Sequence, residues 1–173
     1  MISDTKKIDF REDLGLFQKV LLDTDGTVTN LVSLYLNEKV VAKKLSNLLQ
    51  YGEFPEFPTK RPQERILFRS VLLGTSDGKN HVYAESNFIF DRFSLFIQQR
   101  LMDTDLPVGL LWREEKFEMY REVVEQGVET SPTIAGHLGV DPTTPLLSRT
   151  YLIHHHDSVI GKITEKFAAT SFL

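Results

Sequence analysis

The sequence contains no cysteine among its 173 residues. Disulfide bonds, thiolate nucleophiles, cysteine-ligated zinc and iron–sulfur clusters are therefore excluded. Long apolar runs are also missing, since no segment approaches the ~18 apolar residues that a membrane-spanning helix requires. The N-terminal stretch MISDTKKIDFRED is charged and lacks the apolar core of a signal peptide. We therefore expect a cytoplasmic location.

An excess of positive charge is absent as well. The chain has 20 Lys and Arg against 24 Asp and Glu, which gives a formal net charge of -4. Proteins that bind nucleic acids or membrane surfaces without specificity rely on surplus Lys and Arg. We therefore expect neither nucleic acid nor membrane as a partner, and any anionic ligand must be held by local groups.

What the sequence does contain is typical of a globular protein, with 41% hydrophobic and 25% charged residues. A chain of this length can bury a core of its own without a metal ion or disulfide bonds. No internal repeat, heptad pattern or low-complexity tract divides it. We predict a single domain over residues 1–173.

Two short helices are predicted near the N-terminus. Asp9 can cap the first, and the polar, turn-rich stretch Asp23–Gly26 ends it. Its apolar residues recur at helical spacing: Leu14, Phe17, Val20 and Leu21. The second helix follows Thr27, and the residues expected to face inward are Leu31, Leu34 and Tyr35. Lys39–Leu49 fits either a strand or a helix, and Gly52–Pro62, which holds three prolines, is expected to be an exposed loop.

The rest of the chain predicts antiparallel hairpins. The strands expected are Glu64–Leu73, His81–Phe90, Phe117–Val124, Leu146–His155 and Val159–Phe167. Turns at Asp77-Gly78 and Asp157-Ser158 connect two pairs of them. Helices are expected around Phe93–Leu101 and Thr133–Leu138. This order favours an α+β fold with an antiparallel sheet and flanking helices, because a doubly wound fold would alternate strand and helix throughout.

Glu165 is a charged residue at a strand position that should be apolar. Successive strand residues point to opposite faces, and Glu165 shares a face with four residues of low polarity: Val159, Gly161, Ile163 and Phe167. An ionised carboxylate that is buried alone costs several kcal/mol or more. Glu165 must therefore be paired or stay protonated.

Arg69 has the same property in the strand Glu64–Leu73, where it shares a face with Leu67, Val71 and Leu73. Arginine cannot shed its proton, so a buried guanidinium needs an anion, and its planar fork suits a carboxylate. Glu165 could supply that anion in a structural salt bridge across the sheet, or a ligand could. Arg149 and Arg121 repeat the pattern more weakly, and we interpret both as structural.

Five short segments carry a resemblance through their order and spacing. They are Leu21-Leu22, Thr27-Val28-Thr29, Arg69-Ser70-Val71-Leu72-Leu73, Pro107-Val108-Gly109 and Ile163-Thr164-Glu165-Lys166-Phe167. Together they resemble the chorismate pyruvate-lyase family, whose members remove pyruvate from chorismate to leave 4-hydroxybenzoate. The fold of that family is shared with effector-binding domains of some bacterial regulators. The resemblance spans most of the chain and implies a chorismate lyase-like fold.

The resemblance implies that Arg69 grips a ring carboxylate and that Glu165 faces the ring hydroxyl at the other end. Backbone groups near Val28 and Val108 would complete the carboxylate site. The substrate-binding positions implied are Thr27, Val28, Thr29, Val108 and Gly109. The family uses neither metal nor organic cofactor. Since losing enolpyruvate leaves an aromatic ring, such an enzyme mainly orients the ring and assists loss of the proton next to the hydroxyl, with Glu165 as its acceptor.

Another pattern competes for the same region. The run from Val20 to Thr29 looks like the first motif of haloacid-dehalogenase-type phosphatases, Asp-x-Asp-Gly-Thr after an apolar strand. Asp23 would then be the nucleophile and Asp25 the acid/base, with Mg²⁺ as cofactor. Such enzymes also need parallel strands that carry a downstream Lys and an acidic pair, and no β–α alternation supplies them. A polar turn between two helices is the favoured interpretation.

Two further signals are interpreted as structural. His154-His155-His156 could suggest a metal site, but adjacent strand residues alternate faces and converge poorly on one ion. A wet hairpin end is expected there. Trp112, beside Leu110 and Leu111, is expected to pack in the core.

The rival to an enzyme is a sensor of aromatic carboxylates on the same fold. Arg69 and Glu165 would then serve binding alone. No helix-turn-helix domain precedes the first predicted helix, so a self-contained transcription regulator is not expected.

Overall fold

The computed structural model describes residues 10–173, and Asp9, the expected cap of the first helix, lies outside that range. Six antiparallel strands form one sheet within the described residues. The strands are β1 (Val41–Gln50), β2 (Ile66–Gly74), β3 (Asn80–Ile89), β4 (Tyr120–Glu129), β5 (Leu146–His155) and β6 (Ser158–Ala168). The helices are α1 (Leu16–Asp23), α2 (Val28–Leu36), α3 (Leu95–Asp103), α4 (Val108–Glu114) and α5 (Pro132–Leu138). The predicted α+β class with an antiparallel sheet is confirmed.

The strands are ordered β1-β2-β3-β6-β5-β4 across the sheet. After the β1-β2-β3 meander the chain crosses to the opposite edge through α3 and α4, and β4 and β5 then lead back so that β6 pairs with β3. The predicted turn at Asp77-Gly78 joins β2 to β3, with Gly78 at a φ of 84°. The turn between β5 and β6 falls at His156-Asp157, one residue earlier than predicted, and both residues have positive φ (46° and 63°), as tight hairpin turns require.

Local capping explains where two predicted helices begin. Ser94 accepts a hydrogen bond from the backbone N–H of Ile97, so α3 starts two residues later than expected. Ser131 does the same for α5, followed by a proline in the first turn. The helix predicted at Thr133–Leu138 is confirmed.

Three expectations in the rest of the chain are resolved or corrected by the structure. The ambiguous segment Lys39–Leu49 is strand β1. The strand expected at Phe117–Val124 instead begins at Tyr120, because α4, which was not predicted, ends in a backbone turn at Lys116 (φ 50°). Gly52–Pro62 is a loop, but its Phe57 is only 2% exposed and packs on the sheet, so the loop is anchored.

The inward face of α2 differs in part from the prediction, since Leu31 packs against the core as expected but two other residues do not. Leu34 is 70% and Tyr35 43% exposed, whereas Val28, Thr29 and Val32 are buried. Apolar residues extend over more than half of the helix circumference, so periodicity alone does not select a face. Tyr35 still contributes to packing, because its ring stacks on Phe17 with 4.5 Å between centroids.

One face of the sheet is covered by two pairs of helices. Helices α1 and α2 pack over one half, where the core includes Leu22, Val32 and Phe167. Helices α3 and α4 cover the other half, where Trp112 is 3% exposed and stacks on Phe93 at 5.4 Å, so the core position predicted for Trp112 is confirmed. The two helix pairs meet where α2 contacts α4. None of the helices among residues 10–173 is long and apolar enough to cross a bilayer.

Candidate functional site

A small cavity lies on the helix-covered face of the sheet, beside the starts of α2 and α4. Its volume is about 30 Å³. All of the site residues predicted from the sequence line it: Thr27, Val28, Thr29, Arg69, Val108, Gly109 and Glu165. The sequence did not predict Ser86, Tyr151 or Arg121 as part of the wall. Ser86 could have been found, because it lies opposite Arg69 in the β2–β3 hairpin.

Arg69 is a buried cation without a carboxylate partner among the described residues. Its side chain projects from β2, and the residue is 3% exposed. One terminal nitrogen, Nη2, donates to the backbone oxygen of Leu106 at 3.2 Å, and its buried Nε has no hydrogen-bond partner in the described part of the chain. Burial lowers the pKa of Arg69 to about 10, opposed in part by the charge of Asp105. Arg69 is therefore still charged at neutral pH, and its charge is poorly compensated.

Glu165 forms a buried salt bridge, but with Arg149 rather than Arg69. The two residues lie directly opposite each other on β6 and β5, and Nε of Arg149 donates to Oε1 of Glu165 at 3.0 Å. The side chains are 2% exposed for Arg149 and 9% for Glu165. The possible Arg69–Glu165 bridge is therefore not formed, which leaves the anion for Arg69 to come from elsewhere.

Arg149 also supports the turn before α2. Its Nη1 donates to the backbone oxygen of Thr24, and its guanidinium lies 4.9 Å from the ring centre of Tyr151. Burial is the largest cause that raises the pKa of Tyr151, with the charge of Glu165 acting in the same direction. The Tyr151 phenol thus stays protonated beside the cavity. Arg149 links a site carboxylate to the segment that carries Thr27.

Arg121 lines the cavity from the β4 side. Its Nη1 donates to the backbone oxygen of Asp25 at 3.0 Å, and its guanidinium lies 6.0 Å from the Tyr151 ring centre. Its Nε is buried and has no hydrogen-bond partner among residues 10–173. The structural interpretation of Arg121 accounts for the contact to Asp25 but not for this free donor.

The phosphatase-like motif is a turn between helices. Asp23 ends helix α1, not a strand, and the sheet beneath it is antiparallel. Its carboxylate accepts from Nε2 of Gln126 at 2.8 Å and pairs with Arg11. The Gln126 hydrogen bond is the largest cause that holds the pKa of Asp23 below its ordinary value. The phosphatase interpretation is wrong, because no parallel strand among the described residues presents Asp23 to a ligand.

Helix α2 and helix α4 meet at a close contact between Thr27 and Gly109. A Cβ atom built on Gly109 would lie 2.5 Å from Cγ2 of Thr27, so only glycine allows this approach. Val28 and Val108 are the first residues of the two helices, where backbone N–H groups lack intrahelical partners. The cavity wall is therefore formed in part by the N-terminal ends of two helices, a location that favours an anion.

Two of the three adjacent histidines have separate hydrogen-bond partners. Nε2 of His154 lies 2.7 Å from a carboxylate oxygen of Glu122, and Nδ1 of His155 lies 2.7 Å from the backbone oxygen of Glu118. No cluster of three or more His, Asp or Glu in the described part of the chain is arranged to hold a metal ion. The hairpin end is thus held by pairwise contacts.

Comparison with known families assigns the class of protein. Residues 22–173 match the family model described as "Chorismate pyruvate-lyase Rv2949c-like". This match covers most of the sequence and includes every residue predicted for the site. The chain belongs to this family, and the resemblance stated from the sequence is confirmed.

Two curated relatives are similar in sequence. A chorismate pyruvate-lyase of Mycobacterium leprae is 30% identical over 107 residues, which are 60% of this chain and 50% of that protein. The chain thus spans about half of that relative. A Methanocaldococcus jannaschii protein named "Putative lyase MJ0807" is 26% identical over 165 residues, covering 87% of this chain and 77% of the relative.

The fold has counterparts among solved structures. PhnF from Mycobacterium smegmatis superposes with a TM-score of 0.63 at 12% identity, covering 84% of this chain and 64% of PhnF. The effector domain of PhnF alone gives a TM-score of 0.62, covering 83% of this chain and 88% of the domain. At this identity the likeness shows a shared fold.

Proposed function

We propose that this protein is a lyase that eliminates pyruvate from chorismate, or from a similar ring carboxylate, to give 4-hydroxybenzoate. The observation that carries the proposal is Arg69, a buried guanidinium that lines a cavity and has no carboxylate partner among the described residues. A planar guanidinium binds a carboxylate through two parallel hydrogen bonds. The ring carboxylate of the substrate supplies the anion that Arg69 lacks.

The other lining groups suit the rest of the ring. The starts of α2 and α4 offer N–H donors near Val28 and Val108 to the same carboxylate. Val71 and Ile163 provide apolar surface for the ring. Glu165 lies two strands away from Arg69 in the sheet order and faces the hydroxyl at the other end of the ring.

The cavity must open before such a ligand can enter. A cavity of about 30 Å³ has room for only about one or two water molecules, which is far less than an aromatic ring needs. We infer that α2 and α4 separate at the close contact between Thr27 and Gly109. Closure over the substrate then excludes water from the reacting atoms.

The chemistry needs few groups. The C–O bond to the enolpyruvyl group breaks, and the electron pair leaves with enolpyruvate. The neighbouring carbon, which carries the hydroxyl, gives its proton to Glu165, and the ring becomes aromatic. Enolpyruvate then takes up a proton and becomes pyruvate. The hydrogen bond from Arg149 holds the Glu165 side chain in place, where it can accept the proton.

Incubation of the purified protein with chorismate in EDTA tests the proposal. 4-Hydroxybenzoate and pyruvate should appear in equal amounts, measured by chromatography and by lactate dehydrogenase coupling. Asp23→Asn is the matched control, and it should retain activity because Asp23 belongs to a structural turn. Binding of 4-hydroxybenzoate without any conversion of chorismate would replace the lyase with a sensor of aromatic carboxylates.

A further inference from the structure

The charges around the cavity do not balance. Arg69 and Arg121 line it, and Glu165 is the lining carboxylate. Glu165 is already paired with a third guanidinium, that of Arg149. Asp105 acts on Arg69 from a distance, but its side chain is 61% exposed and its carboxylate lies 3.7 Å from Lys44, so solvent and Lys44 weaken its effect. Two guanidinium groups therefore remain without a carboxylate partner among residues 10–173.

The contacts of Arg121 leave a donor free. A backbone oxygen, that of Asp25, accepts from its Nη1, and the face of Tyr151 lies at 6.0 Å. Neither group carries a negative charge, since the pKa of Tyr151 is raised by burial. The buried Nε of Arg121 has no hydrogen-bond partner within the described residues. Buried donors without partners are rare in native structures, and the side chain that carries this one also lines the cavity.

The two arginines stand at opposite sides of the same sheet face. Arg69 is on β2 and Arg121 on β4, with β3, β6 and β5 between them. At about 4.8 Å per strand their backbones lie about 19 Å apart, a gap that two long side chains and one ring-sized ligand can fill. Glu165 is on β6, in the middle of this arrangement. Along the sheet the order is thus first cation, carboxylate, second cation.

We propose that Arg121 is a second anion anchor, which binds the carboxylate of the enolpyruvyl group. The site would then select a ring that bears two separate carboxylates over a ring that bears one. The inference rests on the proposed function, because it assigns one end of the same ligand. The geometry suits chorismate, whose enolpyruvyl ether is attached next to the hydroxyl that Glu165 faces.

The second anchor also explains how the product can leave. After elimination the ring retains a single carboxylate, and the other departs with pyruvate. 4-Hydroxybenzoate therefore has no group for Arg121 to bind, whereas the substrate uses both arginines. The substrate should gain affinity from Arg121 that the product does not share.

Binding measurements on two ligands test this assignment. Chorismate affinity is measured as Kd by calorimetry, or as KM where the protein turns chorismate over, and 4-hydroxybenzoate affinity as Kd. Arg121→Gln should weaken chorismate by about 10–100-fold, the effect of losing a charge-assisted hydrogen bond. It should change 4-hydroxybenzoate affinity by no more than about twofold, whereas Arg69→Gln should weaken both ligands. Arg113→Gln, at an exposed position of α4, is the matched control and should change neither.

Arg121→Lys is the control for a folding defect, because Arg121 also donates a hydrogen bond to the turn at Asp25. Lys keeps the charge and should retain part of the preference for chorismate. The second anchor is overturned if folded Arg121→Gln loses affinity for both ligands equally, or loses affinity for neither. If the wild type converts chorismate and Arg121→Gln has an unchanged KM, the second anchor fails and the lyase stands. If chorismate binds through Arg121 but is never converted, the lyase fails and the second anchor stands.

Discussion

Arg149 lies directly across the β5–β6 pair from Glu165 and donates its Nε to Oε1 of Glu165 at 3.0 Å. The buried carboxylate of the site is therefore paired, whereas the buried guanidinium of Arg69 has no carboxylate partner in the described part of the chain. Arg149 has a second contact at the backbone oxygen of Thr24. A single side chain thus connects the proposed proton acceptor to the turn that leads into helix α2.

Glu165→Gln should separate chemistry from binding. We expect turnover of chorismate to fall by about 100-fold or more, the typical contribution of a positioned acid or base, with affinity for 4-hydroxybenzoate nearly unchanged. Gln keeps an oxygen that can accept from Arg149, so the melting temperature should fall only modestly. Single-turnover kinetics and thermal melting measure the two effects. The matched control is Glu125→Gln at an exposed position of β4. Normal turnover together with a sharp loss of stability would assign Glu165 a structural role only.

The Arg149–Glu165 pair should show strong coupling in a double-mutant cycle. Arg149→Met leaves the Glu165 carboxylate buried without its partner, which typically costs about 3–5 kcal/mol in the free energy of unfolding. Glu165→Leu leaves the Arg149 charge buried in the same way. The double variant should be more stable than either single variant, because no unpaired charge remains. Urea denaturation of the four proteins measures the coupling energy, and additive losses would show that the pair is not a unit.

Arg69→Met should stabilise the fold while it abolishes ligand binding. The pKa of Arg69 falls from an ordinary 12.5 to about 10, which corresponds to about 3 kcal/mol of unfavourable burial. Met fills a similar space without charge, so we expect a gain of about 1–3 kcal/mol in the free energy of unfolding. Arg69→Lys should also lose ligand affinity, because a point charge cannot reproduce the two-pronged hydrogen bonding of a guanidinium.

The stability gain from Arg69→Met should depend on pH in one direction. A lowered folded-state pKa means that the folded protein holds this proton less tightly than the unfolded chain. The cost of the charge is therefore fully present below about pH 10, and it declines as pH rises through 10. At pH 7 Arg69→Met should therefore show its full gain in the free energy of unfolding over the wild type. Arg61→Met, at an exposed loop position, is the control. If Arg61→Met stabilises the protein as much as Arg69→Met does, the gain does not come from removing a buried charge.

Sequence reasoning placed Arg69 and Glu165 in the candidate site because strand periodicity sets both among apolar residues. It could not find the Arg149–Glu165 pair. A turn at Asp157-Ser158 would set Arg149 opposite Lys166, whereas the actual turn lies one residue earlier and a register shift between Ile153 and His154 follows it. One-residue changes of this kind decide which charges meet, and the β-branched pattern of the strands does not reveal them.

Helices α4 and α2 also could not be fully predicted from the sequence. Helix α4 is only seven residues long and follows Pro107. Its apolar residues Leu110, Leu111 and Trp112 are consecutive, so they show no helical periodicity. Helix α2 is apolar over more than half of its circumference, and packing on the sheet rather than periodicity selects Val32 over Leu34 for the interior. Both helices begin at the cavity, so the segments that the sequence described least well are those that close the site.

Gly109→Ala should disrupt the closure of the site through one methyl group. The added Cβ would lie 2.5 Å from Cγ2 of Thr27, so α4 must move away from α2 and the N–H donors near Val108 must move with it. We expect chorismate KM to rise by about 10-fold or more, with a loss of about 1–3 kcal/mol in stability from overpacking. Thr27→Ser removes Cγ2, so the double variant should recover much of the chorismate affinity and much of the stability. Gly136→Ala is the control, because its added Cβ meets no atom within 4 Å. If Thr27→Ser fails to rescue Gly109→Ala, the contact between these two residues does not govern closure.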